Sequence, residues 1–383
     1  RSVRSVYGKC QSKKVAFSSH PRAKSGILAK ISFTLRTLGS SQGSDLQTTL
    51  ERRSGNLLTE KNMETSEAKT FLDDVIYGLS LAQKQLSPKY FYDEFGAKIF
   101  ERICTTPEYY PTRTETMILK NNVAEIARKI GPNATLIEYG SGALEKVKII
   151  LEALEKPSAL VPFDISKEQL KVAAKKIKTE FPHLNVLPIS GDFTKPLKLP
   201  KALLNAEKQV AFFPGSTIGN FEKEDAIDFL KSVKATVGEN GLMLIGVDLQ
   251  KDRDTILKAY NDEAGVTSEF NKNILIRINR ELGGNFNLND FEHIASYNEE
   301  YHRVEMHLRS LAVQTVCISG IKFSFDLNET IHTENCYKYT HKSFSHLAEA
   351  AGFFPADYWT DSNDLFTVVL LTSKFRQNSE DNF

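Results

Sequence analysis

Between residues 113 and 248 the chain alternates short apolar runs with longer segments whose apolar residues lie three and four positions apart. The runs predict buried strands, and the longer segments predict helices. The predicted strands are Ala134–Tyr139, Ala159–Phe163, Asn185–Ile189, Gln209–Phe213, Gly241–Val247 and, later in the chain, Phe366–Thr372. The predicted helices are Arg113–Lys129, Leu144–Leu154, Lys167–Glu180 and Glu222–Val237. This pattern indicates an α/β, Rossmann-like domain with a doubly wound, mostly parallel sheet.

The pattern changes between residues 249 and 338. Helical stretches are followed by segments in which polar and apolar residues alternate, which predicts a half-exposed antiparallel sheet. The helical stretches are Thr255–Tyr260 and Val266–Glu281, and the alternating segments are Arg303–Arg309, Ala312–Cys317 and Glu329–Tyr339. We therefore predict a second, α+β domain, formed by residues 63–112 and 249–338, that binds the substrate and caps the first. Residues 113–248 and 339–383 form the Rossmann-like domain in this prediction.

The first 62 residues differ in composition from the rest. Residues 1–44 contain nine Lys/Arg and no acidic residue, whereas Lys+Arg (49) and Asp+Glu (48) nearly balance over all 383 residues. A basic, Ser-rich segment of this kind is typical of an organelle transit peptide, and a disordered or extraneous tail is the alternative. The remaining chain is net acidic and has no run of about 18 apolar residues, which argues against nucleic-acid and membrane partners.

The cysteine and histidine positions bear on location and metal binding. The four cysteines form no C-x-x-C pair, as expected in a reducing compartment such as the cytoplasm. His302 and His307 are five positions apart, as are His341 and His346, whereas two metal ligands on one helix face are usually four apart. With no H-E-x-x-H motif either, the sequence predicts no metal site.

Candidate ligand-binding residues follow the ends of three predicted strands, where ligands bind in doubly wound sheets. The first strand ends in a glycine turn, Gly140-Ser141-Gly142, and the second ends at Asp164, whose carboxylate can accept both ribose hydroxyls. The third is followed by Asp192-Phe193, an acceptor for an adenine amino group and a ring for stacking. In this order they resemble class I S-adenosylmethionine-dependent methyltransferases. A nicotinamide-dependent enzyme is the alternative, although the turn lacks G-x-G-x-x-G.

Five longer strings extend this resemblance over most of the chain. They are PKYFYDEFGAKIFERICTTPEYYPTRTE (Pro88–Glu115), FFPGSTIGNF (Phe212–Phe221), AYNDEAGVTSEFNKNIL (Ala259–Leu275), FEHIASYN (Phe291–Asn298) and HTENCYKY (His332–Tyr339). They are similar to the histidine-specific N-methyltransferase family of ergothioneine biosynthesis, in order, from about Phe71 to Thr372. The resemblance implies S-adenosylmethionine-dependent trimethylation of the α-amine of L-histidine to hercynine, by an enzyme expected to act as a monomer.

The resemblance also implies site residues, carried over by matching position. It implies cofactor contacts at Tyr92, Gly140, Lys146, Asp164, Asp192 and Phe193. It implies substrate contacts at Tyr109, Asn220, Tyr260, Met306, Glu334 and Cys336, with Tyr92 and Tyr109 as catalytic residues. The family has Ser where this chain has Cys336, and this departure bears on which amino acid is the substrate. One alternative is another amino acid, since a related fungal branch methylates a prenylated tryptophan. Another is a non-catalytic S-adenosylmethionine-binding protein.

Some of these residue types also suit the chemistry on physical grounds. Methyl transfer to an amine needs alignment of donor and nitrogen, and aromatic faces favour the quaternary ammonium product. Glu334, Cys336 and Lys338 share one strand face by the period-two rule, and a carboxylate there can accept an imidazole N–H. The alternatives are a solvated edge-strand charge for Glu334, a helix cap for Asn220 and core packing for Tyr260.

The predicted boundary between the basic segment, residues 1–62, and the enzyme, which begins at Met63, is open to a direct test. Because residues 1–62 lie outside the resemblance, a chain that starts at Met63 should retain the methyl-transfer rate of the full chain within about twofold. The measurement is the rate of S-adenosylhomocysteine formation by both chains at equal concentration. A large loss of activity would show that the basic segment contributes to the enzyme.

Overall fold

The structure is a computed structural model. It describes residues 69–374 apart from residues 143, 166, 193–196, 198, 201–202 and 204–207. Phe193 and the basic segment 1–62 lie outside the described residues. The strands are β1 Lys84–Gln85, β2 Ala134–Tyr139, β3 Ala159–Asp164, β4 Asn185–Val186, β5 Ile189–Ser190, β6 Lys208–Phe213, β7 Leu242–Asp248, β8 Phe291–Asn298, β9 Arg303–Ser310, β10 Gln314–Ile318, β11 Ile321–Phe325, β12 Thr330–Tyr337, β13 Phe354–Thr360 and β14 Phe366–Thr372.

The helices fall between these strands. They are α1 69–79, α2 Glu94–Ile103, α3 Tyr110–Ile130, α4 Glu145–Ala153, α5 Lys167–Glu180, α6 Lys223–Val237, α7 Arg253–Tyr260, α8 Val266–Leu282 and α9 His341–Ala350. Short 3-10 turns occur at Pro88–Phe91, Thr217–Asn220 and Leu288–Asp290. Among the described residues, no helix is both long enough and apolar enough to cross a bilayer.

The large sheet has the strand order β13-β14-β7-β6-β2-β3-β4, and β5 also pairs with β3. The strands from β2 to β7 pair in parallel, which confirms the predicted Rossmann-like architecture. The strand predicted at residues 185–189 is present as two short strands. Within this mostly parallel sheet, β14 runs antiparallel to β7 and pairs with an unpredicted neighbour, β13.

Both faces of this sheet are covered by helices, which explains the nearly continuous apolar strands. In β2, Leu136 packs into one apolar core and Ile137 into the other, and every residue of the strand is buried. A parallel strand covered on both sides has no polar face, so its sequence does not alternate. The carboxyl ends of β2, β3, β6 and β7 consequently lie along one edge of the sheet.

A second sheet has the order β1-β12-β9-β8, and β10 and β11 form a separate hairpin. The strands predicted at 303–309 and 329–339 are present as β9 and β12, which pair antiparallel. Strand β9 alternates between buried and partly exposed residues, as its sequence pattern predicts. Residues from α1, α2, α7, α8 and this sheet share a third apolar core. The division into two domains at residues 112, 248 and 338 stays a prediction.

Candidate active site

One pocket brings together residues that are far apart in the sequence. Seven of the predicted contacts line it, namely Tyr92, Tyr109, Asn220, Tyr260, Met306, Glu334 and Cys336. They come from the segment before α2, the residue before α3, the 3-10 turn after β6, the end of α7, and the two adjacent strands β9 and β12. The lining also includes residues that the sequence analysis did not single out, among them Thr267 and Phe270 of α8.

Aromatic rings form one side of this pocket. The ring centroids of Tyr92 and Phe100 are 5.6 Å apart, and those of Phe100 and Tyr109 are 6.1 Å apart. The Tyr109 ring lies edge-on to Tyr260 at 6.5 Å. Burial raises the pKa of both Tyr92 and Tyr109 well above the usual tyrosine value, so both hydroxyls keep their protons at neutral pH. No side-chain hydrogen bond joins either hydroxyl to another described residue, which leaves both hydroxyls to donate to or accept from a ligand.

Glu334 and Asn220 form the polar side of the pocket. The amide Nδ2 of Asn220 donates to Oε2 of Glu334 at 3.4 Å, and Glu334 is only 7% exposed. Burial raises the pKa of Glu334 to about 7, against the opposing charge of Lys338. The alternative that Glu334 is a solvated charge on an edge strand is wrong, because its strand β12 lies between β1 and β9 and is not at the edge of the sheet. The alternative of a helix cap for Asn220 is also wrong, because the N-cap of α6 is Glu222.

A β-bulge places Glu334 in the pocket. The pairing of β12 with β9 shifts between His332 and Glu334, so Thr333 has no direct partner in the register. The Thr333 hydroxyl instead donates to Oδ1 of Asn271 at 2.7 Å and to the carbonyl of Met306 at 3.0 Å. A bulge re-aims the side chains that follow it, and here Glu334 and Cys336 both line the pocket.

A buried ionic network lies directly behind Cys336 and Tyr260. The Lys338 Nζ donates to the Tyr260 hydroxyl at 2.9 Å and to the Cys336 Sγ at 3.1 Å, and it pairs with Asp248 at 2.8 Å. Lys251 pairs with the other Asp248 oxygen at 2.6 Å. Burial raises the pKa of Asp248, but the charges of Lys338 and Lys251 outweigh it and hold that pKa below the usual aspartate value.

The glycine turn after β2 lies among carboxylates. Gly140 has a φ of +72°, and a Cβ at Gly142 would have open space around it. Glu138, which precedes the turn, is buried, and its Oε2 has no hydrogen-bond partner among the described residues. Burial raises the pKa of Glu138 to about 8, with the charge of Lys146 opposing the rise and that of Asp164 adding to it. Gly140, Lys146 and Asp164 are therefore close to one another.

Lys146 also has a partner inside the protein. Its ammonium group pairs with Glu115, whose side chain is fully buried and accepts the Gly215 N–H at 2.9 Å. This arrangement joins α3, α4 and the loop after β6. Asp192 follows β5 and is half-buried. No group of three or more His, Cys, Asp or Glu in the described part of the chain is arranged to hold a metal ion.

Comparisons with known proteins agree with this geometry. Residues 71–373 match the family model described as "Histidine-specific methyltransferase, SAM-dependent". The chain belongs to this family. It is 38% identical, over 80% of its length and 95% of the relative, to a histidine N-alpha-methyltransferase of Mycolicibacterium smegmatis. It is 33% identical to ergothioneine biosynthesis protein 1 of Neurospora crassa, over 76% of this chain and 33% of that one.

The chain is also similar to a methyltransferase named for a different substrate. The chain is 29% identical to a 4-dimethylallyltryptophan N-methyltransferase of Epichloe festucae var. lolii, over 76% of this chain and 92% of that one. As a member of the family, the protein is an S-adenosylmethionine-dependent methyltransferase with a Rossmann-like methyltransferase fold.

The residues around the glycine turn fit S-adenosylmethionine. The sulfonium and ammonium groups of the cofactor are cationic, and the carboxylate of Asp164 supplies negative charge beside the turn, while the unpartnered oxygen of Glu138 is left to hydrogen-bond a ligand. The open space at Gly142 lets a ligand approach the backbone closely. The residues that sequence reasoning missed, Thr267 and Phe270, lie in one of the quoted strings, but only the packing of α8 shows which of its residues reach the pocket.

Proposed function

We propose that this enzyme transfers three methyl groups in turn to the α-amine of L-histidine, forming hercynine in the first step of ergothioneine biosynthesis. The observation that carries the proposal is the buried carboxylate of Glu334 in a pocket with an aromatic wall. An imidazole N–H is a strong donor to such a carboxylate, and a buried carboxylate without a donor is costly. The histidine N-alpha-methyltransferase relative, which matches almost end to end, supports the same substrate.

We assign the remaining pocket residues to the amino-acid backbone and the ring edge. Asn220 offers a donor and an acceptor to the α-amino and α-carboxylate groups. The Cys336 sulfur already accepts a hydrogen bond from Lys338. Its S–H is therefore left to donate into the pocket, where the family Ser would donate an O–H. Tyr260 acts as a wall of the pocket, and its ring packs against Tyr109.

The pocket favours methyl transfer mainly by alignment and by its charge. When bound, S-adenosylmethionine supplies the methyl group: a nitrogen–carbon bond forms as the sulfur–carbon bond breaks, and the amine proton is released. Gly140, Lys146, Asp164, Asp192 and Phe193 are the residues proposed to hold it. The hydroxyl oxygens of Tyr92 and Tyr109 are proposed to accept the amine N–H groups, which turns the nitrogen lone pair towards the methyl donor. Their ring faces stabilise the growing cationic character at nitrogen.

The decisive experiment combines purified enzyme, histidine and S-adenosylmethionine, with products identified by mass spectrometry. Mono-, di- and trimethylated histidine should appear in that order, and trimethylated histidine should accumulate. Absence of the trimethylated product at every enzyme concentration would disprove the proposal. Competition between histidine and tryptophan in one reaction tests the alternative substrate class. Calorimetry that detects cofactor binding without turnover of any amino acid would favour a non-catalytic binding protein.

Replacement of Cys336 by serine tests how well the pocket is adapted to cysteine. A hydroxyl is a stronger hydrogen-bond donor than a thiol, so Cys336→Ser should lower the KM for histidine by about two- to fivefold. Initial rates over a range of histidine concentrations give the KM of both enzymes. An unchanged or higher KM would mean that the cysteine sulfur, held by Lys338, serves the pocket as well as the family serine does.

We also propose that the enzyme acts as a monomer, as the family resemblance implies. Light scattering on the active enzyme at assay concentration measures this directly. The cytoplasmic location expected from the cysteine pattern stays a prediction.

A further inference from the structure

Lys338 is a fully buried lysine immediately behind the amino-acid pocket. Its side chain has no exposed surface, and its Nζ contacts Tyr260 at 2.9 Å and Cys336 at 3.1 Å. Both of these partners line the pocket, whereas Lys338 does not. The ammonium group is therefore separated from a bound amino acid by one layer of side chains.

The two buried lysines Lys338 and Lys251 are matched by two carboxylates only if Glu334 is counted together with Asp248. Asp248 at the end of β7 is shared by Lys338 and Lys251, and the Tyr110 hydroxyl of α3 donates to it at 2.9 Å. One aspartate thus faces two lysines. Glu334 lies two residues before Cys336 on the same face of β12 and is the second carboxylate in this part of the fold. On the pocket side, the groups that face Glu334 are neutral, namely Asn220, Tyr92 and Cys336.

We propose that Lys338 is a positioning residue that supplies the counter-charge for Glu334 and fixes Tyr260 and Cys336 in place, so that Glu334 accepts the imidazole N–H of the substrate. This inference rests on the proposed function. Lys338 acts through its neighbours, since it does not reach the pocket itself.

The electrostatics of Glu334 agree with this role. Burial raises the pKa of Glu334 to about 7, and the charge of Lys338 is what opposes the rise. Without Lys338 the pKa would rise further, and at neutral pH the carboxyl group would be protonated in most molecules. A protonated carboxyl group loses the charge-assisted hydrogen bond to an imidazole N–H. The acidic limb of the pH–activity profile should therefore move to higher pH when Lys338 is neutralised.

Lys338→Met is the primary test, and Lys251→Met is its matched control. Each variant removes one lysine from Asp248, but Lys251 contacts neither Tyr260 nor Cys336 in the described structure. In Lys338→Met, kcat/KM for histidine at pH 7 should fall about fivefold, mainly through KM, and should recover towards pH 9, as a shift of the Glu334 pKa by about one unit from about 7 requires. Lys251→Met should leave the position of the acidic limb unchanged. Lys338→Gln, which retains a donor for Asp248 and Tyr260, should show the same shift if Lys338→Met folds poorly.

Two further measurements separate this role from a purely structural one. In a Glu334→Gln background, Lys338→Met should cause no further pH-dependent loss. In enzyme labelled with ¹³C at the glutamate carboxyl carbon, the Glu334 resonance, assigned with Glu334→Gln, should titrate at higher pH in Lys338→Met than in the wild type. The resonance needs no substrate, so it tests Lys338 even if the wild-type enzyme fails to methylate histidine. An unshifted resonance, or an equal shift in Lys251→Met, would overturn the proposal.

Discussion

Replacing Glu334 with glutamine should lower kcat/KM for histidine by roughly 10- to 150-fold, mainly by raising KM. The carboxylate is buried beside Asn220, where a charge-assisted hydrogen bond to an imidazole N–H is worth about 1.5–3 kcal/mol. The glutamine side chain has nearly the same shape and still offers a carbonyl oxygen, so the variant removes the charge and little else. Initial rates at pH 8 over a wide range of histidine concentrations give both kinetic constants.

Loss of folding would not explain this result. Burial raises the pKa of Glu334 from 4.5 to about 7, so the folded chain holds the Glu334 proton more tightly than the unfolded chain does. The free energy of unfolding therefore falls as the pH rises from about 4.5 to about 7, the cost is complete above pH 7, and glutamine removes it. At pH 8, Glu334→Gln should be at least as stable as the wild type in urea unfolding.

Glu305→Gln is the matched control for this variant. Glu305 lies on the adjacent strand β9 but on the outer face of the sheet, where it pairs with Arg303 at 2.8 Å. Its replacement should leave the KM for histidine unchanged. If Glu334→Gln retained the wild-type KM, or if it weakened tryptophan and histidine equally in competition, Glu334 would not be the residue that selects the imidazole ring.

The central sheet was predictable from sequence because burial on both faces requires nearly continuous apolar strands. The predicted bounds of Ala134–Tyr139, Lys167–Glu180 and Phe366–Thr372 are those of the structure. The strand Phe354–Thr360 was missed because its sequence, FPADYWT, contains a proline and an aspartate and is buried at few positions. An edge strand of that kind carries little of the apolar signal on which sequence reasoning depends.

The pocket was predictable only as a set of residues. The resemblance named Glu334 and Asn220, but their contact depends on a bulge in β12 that no local pattern reveals. The buried network was not predicted at all, although Lys338 was recognised as sharing a strand face with Glu334. Its partner Asp248 lies 90 positions earlier, at the end of a strand in the other sheet. Ion pairs of this sequence separation follow from the tertiary fold and not from periodicity.

Replacing Asp248 with alanine should destabilise the folded enzyme by about 3–5 kcal/mol, because it leaves two buried lysines without their carboxylate. Asp248 is 1% exposed and pairs with Lys338 at 2.8 Å and with Lys251 at 2.6 Å. Urea unfolding followed by tryptophan fluorescence should show a lower midpoint. Asp228→Ala, which removes an exposed ion pair with Lys231, is the control and should leave the midpoint unchanged within error.

The pH dependence of stability should change in the same variant. The pKa of Asp248 lies below the usual 3.8, because the charges of Lys338 and Lys251 outweigh the effect of burial. A carboxylate of this kind stabilises the fold above the pKa of the unfolded chain, and its contribution is lost as the pH falls through the lower, folded value. The difference in unfolding free energy between wild type and Asp248→Ala should therefore be full at pH 7 and shrink below about pH 4.

A second substitution tests whether unpaired charge is the cause. Asp248→Ala combined with Lys338→Met removes one charge of each sign, so the double variant should regain part of the stability that Asp248→Ala alone loses. It should not regain the wild-type KM for histidine, because the counter-charge of Glu334 is still missing. If the two substitutions destabilised the fold additively, the cost of Asp248→Ala would come from lost packing, and the ion pair between the two sheets would contribute little.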